Sequence, residues 1–78
     1  MTLDELKVGA KGTITNVGGE GVLRLRLLDM GLIQGTEVFV TKIAPLGDPI
    51  QISLRGYELS VRKEDASKIT IERGDVGK

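Results

Sequence analysis

Apolar and polar residues alternate most cleanly from Ile50 to Arg62, and the rest of the chain can be read outward from there. Ile50, Ile52 and Leu54 alternate with Gln51, Ser53 and Arg55. After Gly56, Tyr57, Leu59 and Val61 alternate with Glu58, Ser60 and Arg62. Two runs of period two around a glycine predict a β-hairpin with one apolar and one wet face. Tight hairpin turns favour Asn-Gly or Asp-Gly, and arginine resists positive φ. Arg55-Gly56 therefore predicts a type I turn with Gly56 in the left-handed position of a bulge.

Upstream, Thr2-Leu3-Asp4-Glu5 has the form of a capping box, which predicts one short helical turn ending before Gly9 with Leu3 and Leu6 buried; a frayed terminus is the alternative. Lys11 to Val17 reads as a first strand, and the odd spacing of Ile14 and Val17 predicts a bulge or a strong twist. Val22 to Met30 fits two patterns. Leu23, Leu25 and Leu27 alternate with Arg24 and Arg26 as in a strand, while Leu23, Leu27 and Met30 also follow i, i+4, i+7. Leucine, arginine and methionine favour helices, and Gly31 stands where a C′ glycine belongs. The expectation is a short, mostly buried helix. Thr36 to Ala44 predicts a second strand with Val38 and Val40 inward. Phe39 then points the other way, with Glu37 and Thr41. In a tightly curled sheet the helix covers that side, and if it is left open Phe39 becomes a partner contact. Lys63 to Ser67 predicts a single 3₁₀ turn, and Lys68 to Glu72 a fifth strand with Ile69 and Ile71 inward.

Five short strands with glycine-rich turns predict a mainly β chain, a small five-stranded barrel with one short helix after the first strand. That is the SH3-like plan, with the OB-fold as its competitor. Residues 1–73 form the expected domain and 74–78 a flexible polar tail.

Composition narrows the chemistry. The 78 residues contain neither cysteine nor histidine. The usual ligands of structural zinc, the commonest general base and the cysteine nucleophile are thus missing. No catalytic residues, cofactor or metal site are expected. Asp48, Glu58, Glu64, Asp65 and Glu72 lack calcium-loop spacing. Eleven basic and eleven acidic residues cancel, which argues against nonspecific nucleic-acid binding. Gly18-Gly19-Glu20-Gly21 lacks the Lys-Ser/Thr of a phosphate loop, and Arg24 occupies the third glycine position of a dinucleotide fingerprint. No apolar run approaches the ~18 residues that suggest a bilayer span, and no secretory leader is expected. A cytoplasmic location and no membrane insertion are the expectations.

The candidate sites are surfaces. Pro45 and Pro49, the chain's two prolines, bracket Leu46, Gly47 and Asp48. Such a stiff loop suits partner recognition, since little entropy is lost on ordering it. It equally suits a turn in which Asp48 caps and the prolines set hairpin register. Arg24 and Arg26 can pair with acidic groups, or lay their stems over the barrel. Arg55, at the hairpin tip, is either a partner contact or a solvated arginine.

Several segments, in order and spacing, resemble the FeoA family of small ferrous iron transport proteins. They are Leu6 and Gly9, Arg26-Leu27, Met30-Gly31-Leu32, Gly35-Thr36, Ala44-Pro45-Leu46-Gly47-Asp48-Pro49-Ile50, Arg55-Gly56, Leu59, and Ala66 before Ile69. The resemblance covers residues 3 to 72. Gln34 departs from it, standing where the family often has proline. The resemblance implies an SH3-like fold and a non-enzymatic cytosolic accessory role, docking on the cytosolic part of a FeoB-type membrane permease and modulating ferrous iron uptake. The alternative it implies is a detached regulatory domain like that of iron-dependent repressors, binding a peptide or protein. Arg24, Arg26, Phe39, Leu46, Gly47, Asp48, Pro49 and Arg55 are the residues expected to meet a partner.

Overall fold

The computed structural model describes residues 1–74. Five antiparallel strands form one sheet in the order β4-β3-β2-β1-β5. They are β1 (Lys11–Val17), β2 (Glu37–Ile43), β3 (Ile50–Leu54), β4 (Tyr57–Val61) and β5 (Ile69–Arg73), with helices α1 (Gly21–Asp29) and α2 (Lys63–Ala66). The expected tail lies, apart from Gly74, outside the described residues.

Inward residues from all five strands share one core, so the sheet curls on itself. Ile14, Val38, Val40, Ile50, Ile52, Leu54, Val61, Ile69 and Ile71 are buried there, with Leu3, Leu27 and Leu32. Alternation accounts for most of this set, because a pleated strand sends every second side chain to the same face. Where alternation fails, the backbone shifts. The β1–β5 register slips between Ile14 and Asn16, so Ile14 and Val17 both turn inward. This is the bulge that their spacing predicts. A second slip, between Val40 and Lys42 opposite β3, has no counterpart in the sequence pattern.

The N-terminus follows its capping box. Thr2 N–H donates to Glu5 Oε1 at 2.8 Å, Leu3–Glu5 form a 3₁₀ turn, and Leu3 and Leu6 are buried. The chain then closes one margin of the sheet. Thr2 bridges Thr70, and Ile71 N–H donates to Met1 C=O at 2.8 Å.

Helix α1 ends in a Schellman motif. Leu32 N–H donates to Leu27 C=O at 3.1 Å and Gly31 N–H to Leu28 C=O at 3.0 Å. Gly31, at φ +96°, takes the left-handed C′ position that its place in the sequence predicts. Leu27 and Leu32, the hydrophobic pair of the motif, are both fully buried.

Three expectations are corrected. The helix is not mostly buried: only Leu27 of α1 is, and Val22 and Leu25 are 74% and 61% exposed. The hairpin turn is not a type I turn with a bulge. Leu54 pairs directly with Tyr57, and Arg55 and Gly56 both have positive φ, +50° and +86°. This is the two-residue type I′ pattern, whose twist matches the strands. The Arg55 guanidinium reaches back to Thr36 Oγ1 at 3.2 Å, a tie that accompanies its unfavoured backbone angle. Finally, Lys63–Ala66 is one turn of α-helix, not 3₁₀.

Candidate interaction surface

Exposed apolar side chains mark where the sheet and helix leave hydrophobic area in water. Leu46, at the tip of the β2–β3 loop, is 94% exposed. The loop beneath it is braced. Gly47 N–H donates to Ala44 C=O at 2.7 Å and Ala44 N–H to Pro49 C=O at 3.1 Å. Asp48 Oδ1 accepts from Lys63 N–H at 3.0 Å, capping the first turn of α2 across the fold. Asp48 therefore ties the loop to α2. That is a structural role of the capping kind, and it holds Leu46 outward on a fixed base.

Phe39 is 41% exposed on the outer face of β2. Its cross-strand neighbours are Lys11 on β1 and Ser53 on β3. The expected helix cover is absent because α1 packs by Leu27 into the core side of the sheet, whereas Phe39 is on the opposite side. Lys11 Nζ and Glu37 Oε2 lie 3.9 Å apart next to it, an exposed pair of little energetic weight.

Arg24 and Arg26 lie on α1, both exposed. Arg24 Nε donates to Val17 C=O at 3.2 Å, which ties the first turns of the helix to the end of β1. The other end of α1 is held by Tyr57, whose hydroxyl donates to Met30 C=O. A Cβ on Gly31 would lie 2.7 Å from that hydroxyl and would push the end of the Tyr57 side chain off Met30, while the φ of +96° is what calls for glycine.

These residues do not form one site. Leu46 to Pro49 lie at the end of the sheet where β2 leads into β3. Arg55 lies at the opposite end of β3, Phe39 on the outer face, and Arg24 and Arg26 on α1. Val22 and Leu25, three residues apart on one turn of α1, are exposed apolar positions that the sequence pattern did not single out. A signal for them exists. Leucines at every second position of a helix are separated by about 200° around its axis, so one face cannot bury them all. Among the described residues, no group of three or more acidic side chains is arranged to hold a metal ion. No helix among them is long and apolar enough to cross a membrane.

Comparison with known proteins supplies the context for these surfaces. Residues 1–73 match the family model of the FeoA domain. A Porphyromonas gingivalis Fe(2+) transport protein A/Fe(2+) transporter FeoB fusion protein is 43% identical over 72 residues, covering 92% of this chain and 8% of its own length. The chain thus spans a small fraction of that relative. The solution structure of FeoA from Chlorobium tepidum is 42% identical, with a TM-score of 0.87, covering 99% of this chain and 75% of that one. A zinc complex of Stenotrophomonas maltophilia FeoA, described as an SH3 domain protein, superposes with a TM-score of 0.81 at 22% identity. It covers 92% of this chain and 89% of that one, and shows the likeness of fold alone. Family match, identity and the five-stranded sheet agree: this chain is a member of the FeoA family, with an SH3-like fold.

Proposed function

We propose that this chain is a non-enzymatic, cytosolic accessory protein that docks on the cytosolic part of a FeoB-type permease and modulates ferrous iron uptake. The observation that carries this reading is the fusion relative, in which a FeoA region and a FeoB transporter share one polypeptide. Joining two modules raises their effective concentration for each other, so fusion is favoured where the separate modules work together. The surface fits a binding role. Leu46 stands almost wholly in water on a loop braced at both ends, so little order is lost when a partner covers it. Phe39, Arg24, Arg26 and Arg55 are further proposed contacts, each of which remains exposed. Gly47, Asp48 and Pro49 serve this contact by holding Leu46 in place.

The test is a titration of the labelled chain with the permease's cytosolic domain, followed by amide NMR. Shifts are expected around Leu46 and Phe39, and Leu46→Ser is expected to weaken binding at least about tenfold, the lower end for burial of one leucine side chain. Unchanged spectra at saturating partner, together with normal ferrous iron uptake in a strain lacking the chain, would refute the proposal.

A further inference from the structure

The two margins of the sheet are treated differently. The outer margin of β5 is covered by the chain's own start, through the Thr2–Thr70 bridge and the Ile71–Met1 hydrogen bond. Among the described residues, the outer margin of β4 has no such cover. In the β3–β4 ladder Leu54 faces Tyr57, Ile52 faces Leu59 and Ile50 faces Val61. A two-residue turn makes the first of these a hydrogen-bonded pair, and such pairs alternate along an antiparallel ladder. Tyr57, Leu59 and Val61 thus turn their backbone groups toward β3. Glu58 and Ser60 turn theirs away from the sheet, and no other backbone group among the described residues meets them. Packing shows the same opening. All three inward residues of β3 are buried, but Leu59, inward on β4, is only half-buried.

An open edge attracts another strand, and its side chains decide which one. β4 continues into Arg62, still extended at φ −67° and ψ 145°. Antiparallel pairing with a copy of itself about Ser60 puts Glu58 opposite Arg62 of the second copy, and Arg62 opposite its Glu58. The register is correct for hydrogen bonding. At the two-fold the outward-facing N–H and C=O of Ser60 exchange two bonds with those of the second copy. On either side Arg62 N–H meets Glu58 C=O, while Arg62 C=O already accepts from Ala66 N–H at 2.8 Å. On the inner side the same register places Leu59 opposite Val61 of the second copy, adding apolar cover over the half-buried Leu59. Glu58, Ser60 and Arg62 are all exposed and in place to do this. The Glu58 carboxylate accepts one bond from the Gln51 amide through Oε1, which leaves Oε2 for the arginine.

We propose that the β4 edge is a self-association surface. Two copies join antiparallel about a two-fold axis at Ser60, with reciprocal Glu58–Arg62 pairs, making one continuous sheet. The opposite charges specify this register over its neighbours, since cross-strand pairs of like charge repel. The self-association does not rest on the permease reading. Phe39 lies on β2, two strands in from this edge. The loop that carries Leu46 adjoins the edge: Ala44 and Pro49 line one pocket together with Ser60, and Asp48 Oδ1 accepts from Lys63 N–H.

Sedimentation equilibrium over a concentration series tests this in the full chain. The expected result is a reversible monomer–dimer equilibrium. Glu58→Arg alone, or Arg62→Glu alone, is expected to weaken it about tenfold, because each places like charges together twice across the two-fold. The double exchange restores the opposite pairs and is expected to recover the dimer to within about threefold. Ser60→Pro removes an amide that points away from β3, a position where edge strands accept proline. It is expected to abolish the dimer while the amide spectrum keeps the dispersion of the folded chain. Should Ser60→Pro disturb folding, the charge-exchange cycle still decides. A wild-type chain that stays monomeric throughout overturns the proposal, as does a dimer indifferent to the exchange. Protection of the Glu58 and Ser60 amides only when the permease domain is added would assign the edge to a different partner and overturn it equally.

Discussion

Helix α1 and strand β3 are both rich in large aliphatic residues, yet they bury them very differently. β3 has Ile50, Ile52 and Leu54, and all three are buried. α1 has Val22, Leu23, Leu25, Leu27 and Leu28, and only Leu27 is buried. The number of apolar residues does not explain this; their period does. In β3 the repeat of two matches the pleat, so one face collects every isoleucine and leucine. In α1 a similar repeat of two is wound onto a helix, which scatters the leucines around the axis. Leu23, Leu27 and Met30 line the inner side, while Val22 and Leu25 are left in water. The helix is then held partly by polar ties: Arg24 to Val17 at one end and Tyr57 to Met30 at the other. Apolar residues excluded from the core by their spacing are available for contact with other molecules.

Substitutions in the two elements test whether period, and not number, sets burial. The largest effect is expected at the shared core. Leu27→Ala and Ile52→Ala should each destabilise by about 2–5 kcal/mol in chemical denaturation, because both leave a cavity in close-packed surroundings. If Leu27→Ala costs far less than Ile52→Ala, α1 relaxes around the loss and is held mainly by its polar ties. Next comes Gly31→Ala. A side chain there meets both a left-handed backbone and the Tyr57 hydroxyl, so a loss of about 1–3 kcal/mol is expected. Tyr57→Phe removes one tie and should cost about 1 kcal/mol, with faster amide exchange confined to the C-terminal turn of α1. The smallest effect belongs to the exposed position. Leu25→Gln should leave stability within about 0.5 kcal/mol. A larger loss would mean that Leu25 is covered in solution, either by the helix rolling inward or by another molecule.

Much of this architecture is legible in the order of the residues. Alternation locates the central hairpin, the odd spacing of Ile14 and Val17 locates a bulge, and Gly31 marks the end of α1. Each is a local signal in which residue type and spacing limit the backbone directly. The misreadings fall where a distant group decides. Arginine at 55 argues against positive φ, but the two-residue loop that pairs Leu54 with Tyr57 requires it, and Thr36 meets the guanidinium there. Asp48 reads as a capping residue, but the donor it accepts from, Lys63 N–H, is 15 residues away. Phe39 reads as a residue on the helix's side, and only the placement of α1 shows that it is uncovered. The candidate surface is less legible than the fold. Leu46, Arg24 and Arg55 are exposed, as their settings in the chain suggest, but nothing local indicates that they lie on separate parts of the molecule.

Residue order specifies the strands and most of the core. A repeat of two, broken by glycines and two prolines, specifies short strands and their inward faces, and the FeoA pattern within it specifies the family. Tertiary structure alone decided which apolar residues remain in water and which sheet margin stays open. Those outcomes depend on where α1 and the first two residues settle against the sheet. Such contacts join groups far apart in the chain, and no local preference encodes them.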